Sequence, residues 1–176
     1  MLFLASLALF FAAPSAVTDL GGAPVHLFES GNPTVLVFVR TDCPISNRYA
    51  PELQRLYKEF SSRVDFFLVY ADPSETAASI RKHIADYGYP FAPLRDPRHA
   101  LVKLSKAAVT PEAALFSARG ELLYHGRIDD RYVDFGKYKP AADKHDLQDA
   151  IDEMLAGKPI SEPATRAIGC FLADVQ

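Results

Sequence analysis

Residues 35–53 read Val-Leu-Val-Phe-Val-Arg-Thr-Asp-Cys-Pro-Ile-Ser-Asn-Arg-Tyr-Ala-Pro-Glu-Leu, and few folds accept such a stretch. It opens as an apolar, β-branched run without polar alternation, which predicts a strand buried on both faces. A short polar turn then delivers Cys43 directly before Pro44. Proline suits the first turn of a helix, where its missing N–H costs nothing. Leu53, Leu56, Tyr57 and Phe60 follow at helical spacing. The pattern predicts Cys43 at a helix N-terminus, at the end of a central strand. Unpaired backbone N–H groups and the positive end of the helix dipole favour thiolate over thiol there. Arg40 and Arg48 add positive charge nearby in sequence. The expectation is a nucleophilic sulfur. Many free cysteines are inert core residues, but burial alone does not explain a place between a buried strand and a proline-started helix.

A chain of 176 residues suits one domain with a sizeable core. The net charge of −3 offers no electrostatic case for nucleic acid or an anionic membrane surface. Residues 1–16 stand apart: they carry no charged side chain, and Leu2 to Ala13 are apolar but for Ser6. Such a run is too short to span a bilayer comfortably and suits a secretory signal peptide, with Ala13, Ser15 and Ala16 as small residues for cleavage. The basic residues that usually open a signal peptide are missing, and a buried N-terminal helix is the alternative. Export to the periplasm or beyond implies an oxidising compartment, where the two cysteines, Cys43 and Cys170, can be joined. The expected division is a signal peptide over 1–16, a domain over 17–157 and a tail over 158–176 that carries Cys170.

Further along, Val64–Tyr70 reads as a second buried strand. Asp72-Pro73-Ser74 is a break with a helix cap, and Glu75–Tyr87 an amphipathic helix ended by Gly88. Strand, helix and strand in succession require a right-handed parallel crossover. Asp96-Pro97 starts a short helix over His99–Ala107. Ala113–Ser117 and Leu122–Gly126 form an antiparallel hairpin around Ala118-Arg119-Gly120-Glu121. A loop is expected from Arg127 to Ala142, then a helix over Asp143–Ala156 with Gly157 as its cap and Pro159 as its stop.

With these residues in view, the chain resembles the thioredoxin superfamily, in particular its redoxin, AhpC/TSA-like branch. That family carries Cys-x-x-Cys or a variant, with an Ala-Pro pair whose proline falls eight residues after the first cysteine; Cys43 and Ala50-Pro51 match. Asp19-Leu20-Gly21-Gly22-Ala23-Pro24-Val25 resembles the start of redoxin domains. The resemblance runs from about Asp19 to about Ala156. It implies an α/β class and a thioredoxin fold: three layers, α/β/α, around a mixed sheet that ends in an antiparallel hairpin. It also implies thiol oxidoreductase activity with Cys43 as nucleophile and no cofactor. Thr110-Pro111 matches the cis-proline of the family, where the freed backbone pairs with a substrate chain as an added strand; an ordinary trans turn is the alternative.

Departures matter as much. Ser46 replaces the second cysteine, so it can hydrogen-bond a thiolate but cannot expel a substrate. Turnover then needs Cys170 or an external thiol reductant. Cys170 either folds back onto Cys43, as resolving or structural partner, or is a buried tail residue never near it. The expected substrate contacts are Thr110, Pro111, Pro44 and Arg40, with Arg127 at the head of a loop (127–138) that rims the site or is merely solvated. Expected partners are protein or small-molecule thiols and disulfides. The alternative activity is a peroxidase, although Arg40 and Leu36 stand where peroxiredoxins keep threonine and proline. A third reading, a copper-binding redoxin relative, needs Cys-x-x-x-Cys, and Asn47 stands at that second position. His26, His83, His99, His125 and His145 lack metal-ligand spacing and read as surface or half-buried residues. Asp129-Asp130 reads as a loop pair that binds backbone N–H groups.

Overall fold

The computed structural model describes residues 17–172; the segment expected to direct export lies outside them. In chain order the first elements are β1 (Thr34–Val39), α1 (Pro44–Arg48), α2 (Ala50–Phe60), β2 (Asp65–Tyr70), α3 (Ala77–Tyr87), β3 (Ala92–Arg95) and α4 (Ala100–Ser105). They are followed by β4 (Val109–Thr110), β5 (Glu112–Phe116), β6 (Leu122–Gly126), β7 (Tyr132–Asp134), β8 (Lys137–Tyr138), α5 (Asp146–Leu155) and β9 (Cys170–Phe171).

The principal sheet has the order β3-β2-β1-β5-β6, parallel from β3 to β1 and antiparallel from β1 to β6. β1 lies at its centre and is buried at every position. Its side chains alternate between two cores. Val35, Val37 and Val39 pack with Leu53, Leu56 and Phe60 of α2, Ile80 of α3, and Leu147, Ala150 and Ile151 of α5. Leu36 and Phe38 face the other way, toward Leu101 and Val102 of α4, Val17 and Leu172. A strand covered by helices on both faces has no use for polar residues, and this accounts for the unbroken apolar run. The result is a thioredoxin fold with a mixed central sheet, as expected.

Four departures from the expected elements have physical causes. β3 escaped the pattern because Pro93 interrupts it. An edge strand tolerates a proline since one of its sides needs no ladder partner there; β3 is the edge of the principal sheet, and on its outer side a bridge to Thr18 engages Arg95, not Pro93. The helix after Cys43 is two helices, broken at Tyr49, because Pro51 has no N–H to continue the first one. Helix α3 starts after Thr76, whose hydroxyl forms a capping box with Ser79, rather than at Glu75. The segment expected as a loop from Arg127 to Ala142 holds the β7–β8 hairpin.

The tail is not loose. Residues 163–165 bridge β6, where His125 N–H donates to the Pro163 carbonyl (3.1 Å) and Thr165 N–H to the His125 carbonyl (3.1 Å). β9 then pairs antiparallel with β4, and Leu172 N–H donates to the Ala108 carbonyl (3.0 Å) while its side chain is buried in the second core.

Candidate active site

Three segments converge on Cys43. β1 carries the chain to the turn at 40–43, which closes with Cys43 N–H on the Arg40 carbonyl (3.3 Å). β4 supplies Thr110 ahead of a cis Thr110–Pro111 bond, the expected isomer. β9 supplies Cys170. Cys43 is fully buried, its Sγ lies 2.7 Å from Cys170 Sγ, and both are free thiols. As a neutral thiol Cys43 donates to the Thr110 carbonyl (3.2 Å). Of the two expectations for Cys170, the one that folds it back onto Cys43 matches the geometry.

The two sulfurs are not equivalent. Burial opposes ionisation of Cys43. Hydrogen bonding from the Cys170 thiol, and from the Ser46 side chain and backbone N–H, outweighs burial and holds the Cys43 thiol below its ordinary range. Ser46 Oγ is buried and, among the described residues, has no other hydrogen-bond partner than this sulfur. For Cys170, burial, the hydrogen bond to Cys43 and the charge of Cys43 act together and push the thiol up to about 12. Of the two, Cys43 is therefore the sulfur that ionises first, and Cys170 is the one that keeps its proton.

The arginines do not act where the sequence suggests. Arg40 pairs with Asp42 (3.0 Å) and Asp72 (3.5 Å), and Arg48 stacks on the ring of Tyr138 at 5.6 Å. The main causes of the lowering at Cys43 are Cys170 and Ser46 instead. Arg127 grips Asp146 with two nitrogens (2.8 and 2.9 Å), which fastens the end of β6 to α5 and occupies the guanidinium edge expected to meet substrate. Helix α1 is also only five residues long, so its dipole is a minor aid. Pro44 sits at its first position and is exposed beside the buried sulfur.

Thr110 was expected to receive a substrate backbone. That edge is already taken: Thr110 pairs with Cys170, and its hydroxyl donates to the Cys170 carbonyl (3.4 Å). The chain's own tail sits where an external peptide would add.

Sequence reasoning passed over the polar groups that brace this arrangement. Glu112 follows Pro111, is 5% exposed, and accepts the N–H groups of Ala108 (2.9 Å) and Val109 (3.2 Å) on one carboxylate oxygen. Its other oxygen faces His125 Nδ1 at 3.7 Å. The available signal was an acid inside the apolar run Glu-Ala-Ala-Leu-Phe. Glu75 accepts Thr41 N–H (2.7 Å) and so steadies the turn before Cys43. His83, expected at or near the surface, is buried: its Nε2 meets Asn47 Oδ1 (2.7 Å) and its Nδ1 meets the Tyr70 hydroxyl (2.8 Å). Asn47 donates in turn to the Thr41 carbonyl (3.2 Å). That assignment makes His83 a neutral donor to Asn47 and an acceptor from Tyr70, a chain that fixes α1 against α3. His99 is likewise buried, against the Ala71 carbonyl (3.1 Å). Asp129 and Asp130 do bind backbone N–H groups, at Arg131 and at Asp143 and Lys144.

A model of the AhpC/TSA family matches residues 10–125. The chain belongs to the AhpC/TSA family. An uncharacterized conserved protein from Geobacillus kaustophilus has a similar structure: TM-score 0.76 and 27% identity, over 91% of this chain and 88% of that one. A hypothetical protein from Sinorhizobium meliloti 1021 is comparable, with TM-score 0.75 and 26% identity over 88% of this chain and 87% of that one. A secreted Mycobacterium tuberculosis disulfide oxidoreductase homologous to E. coli DsbE shares the fold at TM-score 0.52 and 23% identity, over 60% of this chain and 78% of that one. No curated protein matches the sequence significantly. AhpC/TSA membership and the thioredoxin fold support thiol-disulfide oxidoreductase chemistry in general terms.

Proposed function

We propose that this AhpC/TSA-family member is an exported two-cysteine thiol-disulfide oxidoreductase, with Cys43 as the nucleophile and Cys170 as the resolving thiol. The observation that carries the reading is the 2.7 Å approach of Cys170 Sγ to Cys43 Sγ. Without a second cysteine in the Cys43 turn, resolution has to come from elsewhere, and the tail is in reach.

The cycle balances. The Cys43 thiolate attacks one sulfur of a substrate disulfide; that S–S bond breaks, and the departing thiolate takes a proton from water. A mixed disulfide now joins Cys43 to the other half of the substrate. Forming it removes the negative charge that held the Cys170 proton, so Cys170 ionises more readily. Its thiolate then attacks Cys43 Sγ, the bond from Cys43 to the substrate breaks, and the second thiol leaves. One disulfide has been reduced and one, Cys43–Cys170, formed. An external dithiol returns the enzyme to its starting state. Export is supported by the apolar 1–16 segment and by the fold shared with a secreted oxidoreductase.

The test is non-reducing peptide mapping of the mature protein after one equivalent of a small disulfide. A Cys43–Cys170 linkage, lost in Cys43→Ser and in Cys170→Ser, is the expected result. Release of one substrate thiol instead of two, with Cys43 left capped, would reduce the protein to a monothiol enzyme. Family membership favours a peroxide as a second electrophile. In that case Cys43 passes through a sulfenic acid, and Cys170 displaces water from it. Comparing peroxide consumption with disulfide turnover in the same preparation separates the two.

A further inference from the structure

Two glycines mark the points where the tail touches the domain, and both are required by space. A Cβ on Gly169 would lie 2.1 Å from the Thr110 carbonyl oxygen, 2.6 Å from its carbon and 3.1 Å from Pro111 N. Gly169 is buried, and its φ is not positive, so conformational freedom is not what selects it. A Cβ on Gly126 would meet the Thr165 carbonyl oxygen and hydroxyl at 2.3 Å and Thr165 N at 2.8 Å. The tail thus lies flat on backbone at two places: first on β6, where Thr165 Oγ1 also receives Arg127 N–H (3.0 Å), and then on the cis-proline turn.

We propose that Gly169 is a positioning residue of the resolving step, and that β9 is both gate and arm. This rests on the two-cysteine reading above. Docked, β9 covers Cys43 and closes the β4 edge; undocked, it admits substrate; redocked, it delivers Cys170. The Gly169–Cys170 step is what lets a sulfur reach Cys43 along this edge. Any side chain in front of the reacting cysteine collides with the Thr110–Pro111 peptide. An external polypeptide thiol can therefore take the place of the tail in the same pose only if glycine precedes its cysteine. The site favours its own arm over other protein thiols.

Gly169→Ala tests this, with two rates measured on the reduced protein. The first is alkylation of Cys43 by iodoacetamide; the second is closure of the Cys43–Cys170 disulfide after addition of oxidised glutathione. The methyl group must move the backbone by more than 1 Å to clear Thr110, so closure is expected to slow by about 100-fold. Alkylation is expected to rise several-fold, because the tail no longer covers the sulfur. A merely structural defect would not send the two rates in opposite directions. Unchanged rates overturn the proposal while leaving the two-cysteine cycle intact, and so does a parallel fall in both. Failure of the unmodified protein to form the Cys43–Cys170 linkage overturns both the cycle and the proposal. Should Gly169→Ala not fold, Leu172→Ala loosens the same strand from its far end and is expected to show the same opposed shifts; unchanged rates there overturn the proposal as well.

Discussion

The sheet around β1 and the tail over residues 158–172 are held by different forces. β1 is buried at every position and has a hydrogen-bonded neighbour on each side, with packed helices above and below. The tail meets the domain through a bridge at residues 163–165, a two-residue strand, one buried leucine, and Ile160 and Ile168 packed half-buried against the first core. Apolar burial at about 25 cal/mol per Å² dominates the first region, whereas in the second a few net hydrogen bonds of about 1 kcal/mol each act beside a smaller set of apolar contacts. The fixed region presents the nucleophile, and the lightly held region presents its partner. A thiol that must alternately cover and uncover another is better placed on an element with a small opening free energy.

Several changes would break or sharpen that contrast. The largest effect is expected at Cys170. In Cys170→Ser, steady-state turnover of a disulfide substrate falls to the rate set by external thiols, while the thermal midpoint of the reduced protein stays close to that of the parent. A large drop in the midpoint would mean that the tail carries stability as well as chemistry. Next comes a pair of leucines. Leu53→Ala in the first core should cost about 2–5 kcal/mol in denaturant unfolding. Leu172→Ala at the tail should cost less, because the tail can detach and leave the core closed; equal costs would erase the distinction. Third, Glu112→Ala removes the acceptor of the Ala108 and Val109 N–H groups at the start of β4, a loss of about 1.5–3 kcal/mol, and should unfasten β4 and β9 together. Hydrogen exchange at Val109 and Phe171 would report whether they loosen as a unit.

The smallest effect concerns pH. The Cys43 thiol ionises below its ordinary range because of donors beside it, chiefly the Cys170 thiol. The alkylation rate of Cys43 should therefore rise with pH through an inflection below that of a free cysteine, about 8.5. Cys170→Ala removes the donor and should move the inflection upward. A downward movement would show that the burial imposed by the tail outweighs the hydrogen bond it donates.

Much of the fold was legible because it rests on local and periodic signals. The unbroken run at β1, the proline after Cys43, the helical spacing of Leu53, Leu56 and Phe60, Gly88 at a left-handed helix end and the turn at Gly120 each act over a few residues. Misreadings fell where a local rule was overridden. Pro93 is tolerated only because β3 is an edge, and His83 is buried only because Tyr70 and Asn47 arrive from other elements to satisfy both ring nitrogens. Arg40 and Arg48 looked like activators of Cys43 because they are close in sequence, yet each found a nearer partner in space.

By itself, then, the sequence determined a buried central strand, a reactive-cysteine turn and the α/β class, since burial pattern and backbone stereochemistry are written residue by residue. Only the tertiary structure decided which groups would share the sulfur's surroundings. Cys170 is 127 positions from Cys43 and reaches it through backbone contacts that two glycines make possible. No periodicity encodes such a contact, because it depends on where two distant backbones meet. The same holds for the difference between the two thiols, which arises from burial, from the hydrogen bond between them and from the charge Cys43 presents to Cys170.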